Sequence, residues 1–181
     1  VDDYFGTKVA DPYRWLEDDN AADVKQWVKE ENAVTFGFLE RIPFRERIRA
    51  RLKQIYNYPR YSSPFRAGDY YFFYKNDGLQ NQPVVYIQKG LEGTPEVFID
   101  PNTLSPDGTV RVRLISFSTD NRCVAVSRRE AGSDWSEIRV MEVETKKEFS
   151  DRIRWVKFSG AAWQGNGFYY SAYDAPAAGQ E

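Results

Sequence analysis

Ile55-Tyr56-Asn57-Tyr58-Pro59-Arg60-Tyr61-Ser62-Ser63-Pro64 separates a helical pattern from a stranded one. Pro59 and Pro64 remove backbone donors and push the residues before them, Tyr58 and Ser63, toward extended conformations. No helix runs through such a stretch. Its three tyrosines carry apolar faces with polar tips, which suits a packed seam better than a flexible linker. The stretch therefore reads as a junction between domains.

On the N-terminal side, Pro43 fits the first turn of a helix in which Phe44, Ile48, Leu52 and Ile55 recur at spacings of four, four and three. The other face carries Arg45, Arg47, Arg49, Arg51 and Lys53, and is read as solvated surface rather than an anion site. Further upstream, Val24, Trp27, Val28, Glu31 and Phe38 predict a helix over 21–39, capped by Asp19 or Asn20. Residues 1–18 are expected to be an irregular lead, ending in the aromatic-rich segment Asp11-Pro12-Tyr13-Arg14-Trp15-Leu16-Glu17-Asp18. Two helices with such a lead hold too little apolar material to close a core, so they are expected to lie on another body.

On the C-terminal side the period changes to two. Strands are predicted over 61–65, 70–75, 84–88 and 96–99, with turns at Ala67-Gly68-Asp69, Asn76-Asp77-Gly78 and Gly93-Thr94-Pro95. A second set follows at 113–117, 123–128, 137–143 and 147–149. A third begins at 155–163 and continues, after Gly165-Asn166-Gly167, through 168–173. The second strands align at Tyr71, Cys123 and Phe168, a spacing in the range of four-stranded propeller blades. A ring needs at least about four blades, so two and a fraction make an incomplete toroid.

Composition narrows the function. The 25 basic and 27 acidic residues leave a net charge of -2, which offers no footprint for nucleic acid or an anionic membrane. No apolar run approaches bilayer-spanning length. The single cysteine, Cys123, cannot form an internal disulfide and reads as a small buried hydrophobe in Cys123-Val124-Ala125-Val126. With no histidine in the chain, neither a Ser-His-Asp nor a Cys-His arrangement is possible from these residues alone. No zinc, nucleotide or G-x-S-x-G motif is present, and no metal or cofactor is expected.

Several segments go beyond pattern: Asp11 to Asp18, Gly78-Leu79-Gln80-Asn81-Gln82 leading into Val84-Val85-Tyr86-Ile87-Gln88, and Asp100-Pro101-Asn102. Asp107-Gly108-Thr109-Val110, Gly132-Ser133-Asp134-Trp135, and Val156-Lys157-Phe158-Ser159 with Trp163 complete the set. In wording, order and spacing the chain resembles the prolyl oligopeptidases, serine peptidases that cleave after proline, over essentially its whole length. A related oligopeptidase that cleaves after basic residues shares the first segment, whereas Gly78 to Gln82 favours the prolyl branch.

The resemblance implies a mixed fold. Residues 1–57 would be an N-terminal α-helical arm of an α/β-hydrolase domain. Residues 58–181 would be antiparallel β blades of an incomplete seven-bladed β-propeller, comprising blades 1 and 2 and the start of blade 3. The serine, aspartate and histidine of the family map to no residue here, so no catalytic position transfers, and the C-terminal peptidase domain would complete the enzyme. Phe158 matches a phenylalanine lining the substrate cavity near the subsites before the proline. Asp134 and Trp135 match a propeller loop near the domain interface. For these three the structural alternatives are a strand core position, a turn carboxylate bonding the local backbone, and a blade-packing aromatic. The resemblance further implies short proline-containing peptides as partners, a monomer when complete, and a cytoplasmic location ahead of a periplasmic or secreted one. A freestanding β-rich binding module whose aromatics stack on sugars or peptides is the reading from another class.

Overall fold

The computed structural model describes residues 1–130 and 132–177, which form two compact units, 1–52 and 53–176.

The first unit opens with a hairpin that the sequence pattern did not suggest: β1 (Asp2–Tyr4) pairs with β2 (Thr7–Val9). Phe5 and Gly6 both take positive φ, at 55° and 90°, as a tight hairpin turn requires, and Gly6 N–H donates to Asp3 Oδ1 at 2.6 Å. A single 3₁₀ turn follows at Arg14–Glu17, where Arg14 bridges Asp2, Asp11 and Glu17. Helix α1 then spans Ala22–Glu40 and α2 spans Arg45–Tyr56. Neither Asp19 nor Asn20 caps α1. Ala21 holds the cap position without a side-chain bond, while the Asp18 carboxylate accepts the Asn20 N–H at 3.0 Å. Only Val24 of α1 is buried, and Phe38, Phe44, Ile48 and Leu52 remain exposed, so these helices enclose no core of their own.

The second unit is built of antiparallel sheets. The first contains β3 (Arg60–Tyr61), β4 (Phe65–Ala67), β5 (Tyr70–Asn76), β6 (Val84–Lys89) and β7 (Glu96–Ile99), in the order β3-β5-β6-β7 with β4 also on β5. The single strand expected at 61–65 is thus split in two. Pro64 has no N–H to give, and the Ser62 hydroxyl bridges the break by accepting the Tyr74 N–H at 2.9 Å. The second sheet contains β8 (Arg111–Phe117), β9 (Cys123–Arg129), β10 (Ser136–Glu142) and β11 (Glu148–Val156), in the order β11-β10-β9-β8. Finally β12 (Ala162–Gln164) and β13 (Gly167–Tyr169) form a hairpin. The strands expected at 147–149 and 155–163 are corrected by this arrangement: β11 is continuous to Val156, and the next strand starts only at Ala162.

The alternation of side chains decides how the sheets stack. Ala67, Phe72, Val85, Ile87, Phe98 and Ile99 of the first sheet share a core with Leu114, Val124, Val126, Met141 and Val143 of the second. The opposite face of the second sheet places Ala125, Ile138 and Val156 with Ala161, and Trp163 and Phe168 of the last hairpin pack on them. A bulge between Leu114 and Ser116 keeps both Leu114 and Phe117 on the first core and frees Ser116 for the second. There the Trp163 indole N–H donates to Ser116 Oγ at 3.1 Å. Beside the bulge, the Leu114 N–H donates to Tyr74 Oη at 3.0 Å, tying the first sheet to the second, and burial pushes this phenol up from its ordinary pKa. Cys123 is only half-buried, unlike Val124 to Val126, and burial moves its thiol up.

Candidate functional site

The bend after β11 concentrates the unusual geometry. Trp155 and Phe158 have φ of 58° and 52°, a region that bulky residues occupy only when their surroundings hold them there. The surroundings are specific. Tyr173 N–H donates to the Trp155 carbonyl at 2.9 Å, and Ser171 N–H donates to Ser159 Oγ at 2.8 Å, so a strap over 171–173 holds both ends of the bend. Between them Lys157 Nζ sits 4.0 Å from the centre of the Trp135 ring. Trp135 in turn meets Trp155 and Tyr173 edge-on, with ring centres 5.7 Å apart in both pairs. At the apex, Phe158 is 97% exposed. It is not a core residue of an alternating strand. Beside it opens a cleft of about 640 Å³, lined by Ile115, Ile138, Val156 and Phe158, with Arg111 and Arg129 among its polar groups.

Asp134 is exposed in the turn between β9 and β10, and Trp135 is half-buried. The backbone bond in that turn comes from Ser133, whose hydroxyl accepts the Trp135 N–H at 3.0 Å. Below it Arg139 bridges Glu137 and Glu148, Arg128 pairs with Glu148, and Arg154 approaches Glu137 at 3.4 Å. Burial pushes the Arg128 guanidinium down, partly offset by Glu148. For Arg139 burial acts in the same direction, but hydrogen bonds to Glu148 and Glu137 outweigh it and the net shift is upward. Arg128 Nε and Trp135 Nε1 are buried and reach no acceptor among the described residues.

Three family-like segments that are separate in sequence converge at one end of the first sheet. Gln82 N–H donates to Asn102 Oδ1 and Asn102 Nδ2 donates back to the Gln82 carbonyl, each at 2.9 Å. Asn81 Nδ2 donates to the Asp107 carbonyl at 3.0 Å. Asp107 accepts from the hydroxyls of Thr109 and Ser105, in that order of effect, which holds its carboxyl below the usual range. Asn81, Gln82, Gly108 and Thr109 then line a cleft of about 550 Å³ together with Asp134. The sequence resemblance gives roles to Phe158, Asp134 and Trp135 one by one. It gives none to Lys157, Trp155, Ser171 or Tyr173, whose grouping depends on the pairing of Ser136 with Val156.

Two stacked antiparallel sheets followed by a further hairpin are the architecture of part of a β-propeller domain. A family model described as the N-terminal β-propeller domain of prolyl oligopeptidase matches residues 1–181, and the chain belongs to that family. It is 49% identical over 180 residues to the prolyl endopeptidase of Elizabethkingia meningoseptica, a match covering 99% of this chain and 25% of that protein. It is 33% identical over 214 residues to the Dictyostelium discoideum prolyl endopeptidase, covering 93% of this chain and 28% of the other. A solved prolyl endopeptidase structure superposes with a TM-score of 0.87 at 31% identity, over 95% of this chain and 26% of that one. Prolyl oligopeptidase B from Galerina marginata, bound to a 25mer macrocyclization substrate, gives 0.78 at 28% identity, over 93% and 26%. The chain thus spans about a quarter of the length of the curated relatives it matches.

Proposed function

We propose that residues 1–181 are the N-terminal part of a serine endopeptidase that hydrolyses short peptides on the carboxyl side of proline. The relatives named prolyl endopeptidase support this, as does one feature of the chain itself: a fully exposed phenylalanine in a held, left-handed conformation beside an open cleft. A solvated ring at that position is poor use of an apolar side chain unless something covers it. In this reading Phe158 packs on residues preceding the substrate proline, and Asp134 and Trp135 lie near the surface facing the peptidase domain.

Residues 1–57 would be the arm of an α/β-hydrolase domain, which accounts for helices whose apolar faces stay exposed. Residues 58–181 would be blades 1 and 2 and the start of blade 3 of a seven-bladed propeller. The nucleophile, its base and the orienting carboxylate would come from the remaining chain, since no histidine is available here. The present residues would restrict access, orient the peptide and exclude bulk water. Cytoplasmic location and a monomeric state remain part of the proposal.

The test compares matched blocked peptides ending in proline or arginine before the scissile bond, using a longer protein that contains residues 1–181. Turnover after proline should exceed that after arginine by roughly two orders of magnitude in kcat/KM. Equal rates, or a preference for arginine, would contradict the assignment.

A further inference from the structure

Three contacts meet at the Trp135 ring. Lys157 stands over its face at 4.0 Å, and Trp155 and Tyr173 pack against it in T-shaped pairs, while the Tyr173 N–H also donates to the Trp155 carbonyl. Its indole N–H finds no hydrogen-bond acceptor among the described residues, and the contacts seen here use the ring as a surface. Lys157 immediately precedes Phe158. A cation held against an aromatic face fixes the direction of the chain at that point, and the next residue is the one in the left-handed region with its side chain fully outward.

We infer that Trp135 is a positioning residue for Phe158: by anchoring Lys157 and bracing Trp155 and Tyr173, it holds the bend that presents the phenylalanine to peptide. This rests on the reading of Phe158 as a substrate contact. Without the ring, Lys157 loses its seat and the strained backbone at Trp155 and Phe158 relaxes toward extended conformations. Phe158 then leaves the position from which it meets residues upstream of the proline. Trp135 touches no reacting atom, so its loss weakens substrate binding rather than the chemical step.

The experiment uses the full-length enzyme and two chromogenic substrates: a blocked tripeptide with an apolar residue two positions before the proline side of the cut, and a minimal glycyl-prolyl substrate too short to reach Phe158. Phe158→Ala, Trp135→Leu, Trp135→Phe and Lys157→Met are compared with the parent. Trp135→Leu should raise KM for the long substrate roughly 10-fold or more, leaving kcat and the short substrate within about twofold. Trp135→Phe, which keeps an aromatic face, should recover most of this, and Lys157→Met should reproduce part of it.

The variants separate the two claims. If Phe158→Ala leaves both substrates unchanged, the underlying reading of Phe158 fails. If Phe158→Ala weakens the long substrate while Trp135→Leu and Lys157→Met do not, the positioning role is overturned and the contact survives. Equal losses on both substrates in Trp135→Leu and Lys157→Met would show a general structural effect and also overturn it. Lys157→Met changes one side chain at the start of an exposed bend, so it carries the test if Trp135→Leu does not fold.

Discussion

Phe72→Ala should destabilise the chain by about 3–5 kcal/mol, the usual cost of removing a fully buried phenylalanine. Phe72 is completely excluded from solvent and lies where the two sheets meet. Its ring centre is 5.4 Å from Phe98 of its own sheet and 4.9 Å from Phe117 of the next. Phe65 stacks on it as well, at 5.8 Å, so truncation removes apolar burial, three ring contacts and part of the contact between sheets together. A domain of ordinary stability has about 5–15 kcal/mol to lose, so urea unfolding should show a large fall in midpoint. Phe73, on the opposite face of β5, is the control. It stacks on Tyr86 at 5.3 Å but stays partly exposed, and its truncation should cost markedly less. Equal costs for the two would contradict the stacking of sheets described above.

Gly78→Ala should cost about 2–4 kcal/mol. Gly78 has φ of 135°, and a Cβ there would stand 2.4 Å from Asn57 Oδ1 and 3.2 Å from both Asn57 Cα and Tyr58 N. The glycine has little freedom to retreat. Its N–H donates to Asn76 Oδ1 at 2.9 Å and its carbonyl accepts from Arg60 Nη2 at 2.8 Å. This links the Ile55 to Pro64 stretch to the first sheet: Asn57 lies against Gly78, and the Arg60 guanidinium stands 5.7 Å from the Tyr58 ring centre. A thermal scan should show a drop of roughly 5–15 °C, following the usual 2–4 °C per kcal/mol for a chain of this size. Gly90→Ala isolates the steric part. Gly90 also has positive φ, at 64°, but open space where its Cβ would be, so it should cost only about 1–2 kcal/mol. A Gly78 variant no less stable than the Gly90 variant would show that the contact with Asn57 and Tyr58 yields.

The elements that were legible in the sequence owed it to local signals. The aromatic run Tyr70 to Tyr74 and the apolar run Cys123 to Val126, bounded by glycine, asparagine and aspartate, marked the strands expected at 70–75 and 123–128, which are β5 and β9, because packing and turn chemistry agreed there. The end of β11 left no such mark. Its break depends on left-handed backbone at Trp155 and Phe158, and that conformation is usually announced by glycine. The missing length of β11 then hid the site. Without the pairing of Ser136 with Val156, nothing brings Trp135 to Lys157 across 21 intervening residues. The hairpin β1–β2 escaped for a related reason, since three-residue strands around Phe5-Gly6 are too short for periodicity to register. The likeness of Gly78 to Gln82 and Asp100 to Asn102 to known segments was visible as wording, but their convergence through the Gln82–Asn102 amide pair depends on folding.

We propose that these residues supply access and substrate contacts while the serine chemistry comes from sequence outside residues 1–181. The direct measurement treats residues 1–181, and a longer protein containing them, with a serine-reactive fluorophosphonate and a prolyl chromogenic peptide. The longer protein should cleave the peptide, be labelled at one serine and lose activity on labelling, while residues 1–181 do neither. Inhibitor-sensitive turnover of the prolyl peptide by residues 1–181 alone would contradict the account.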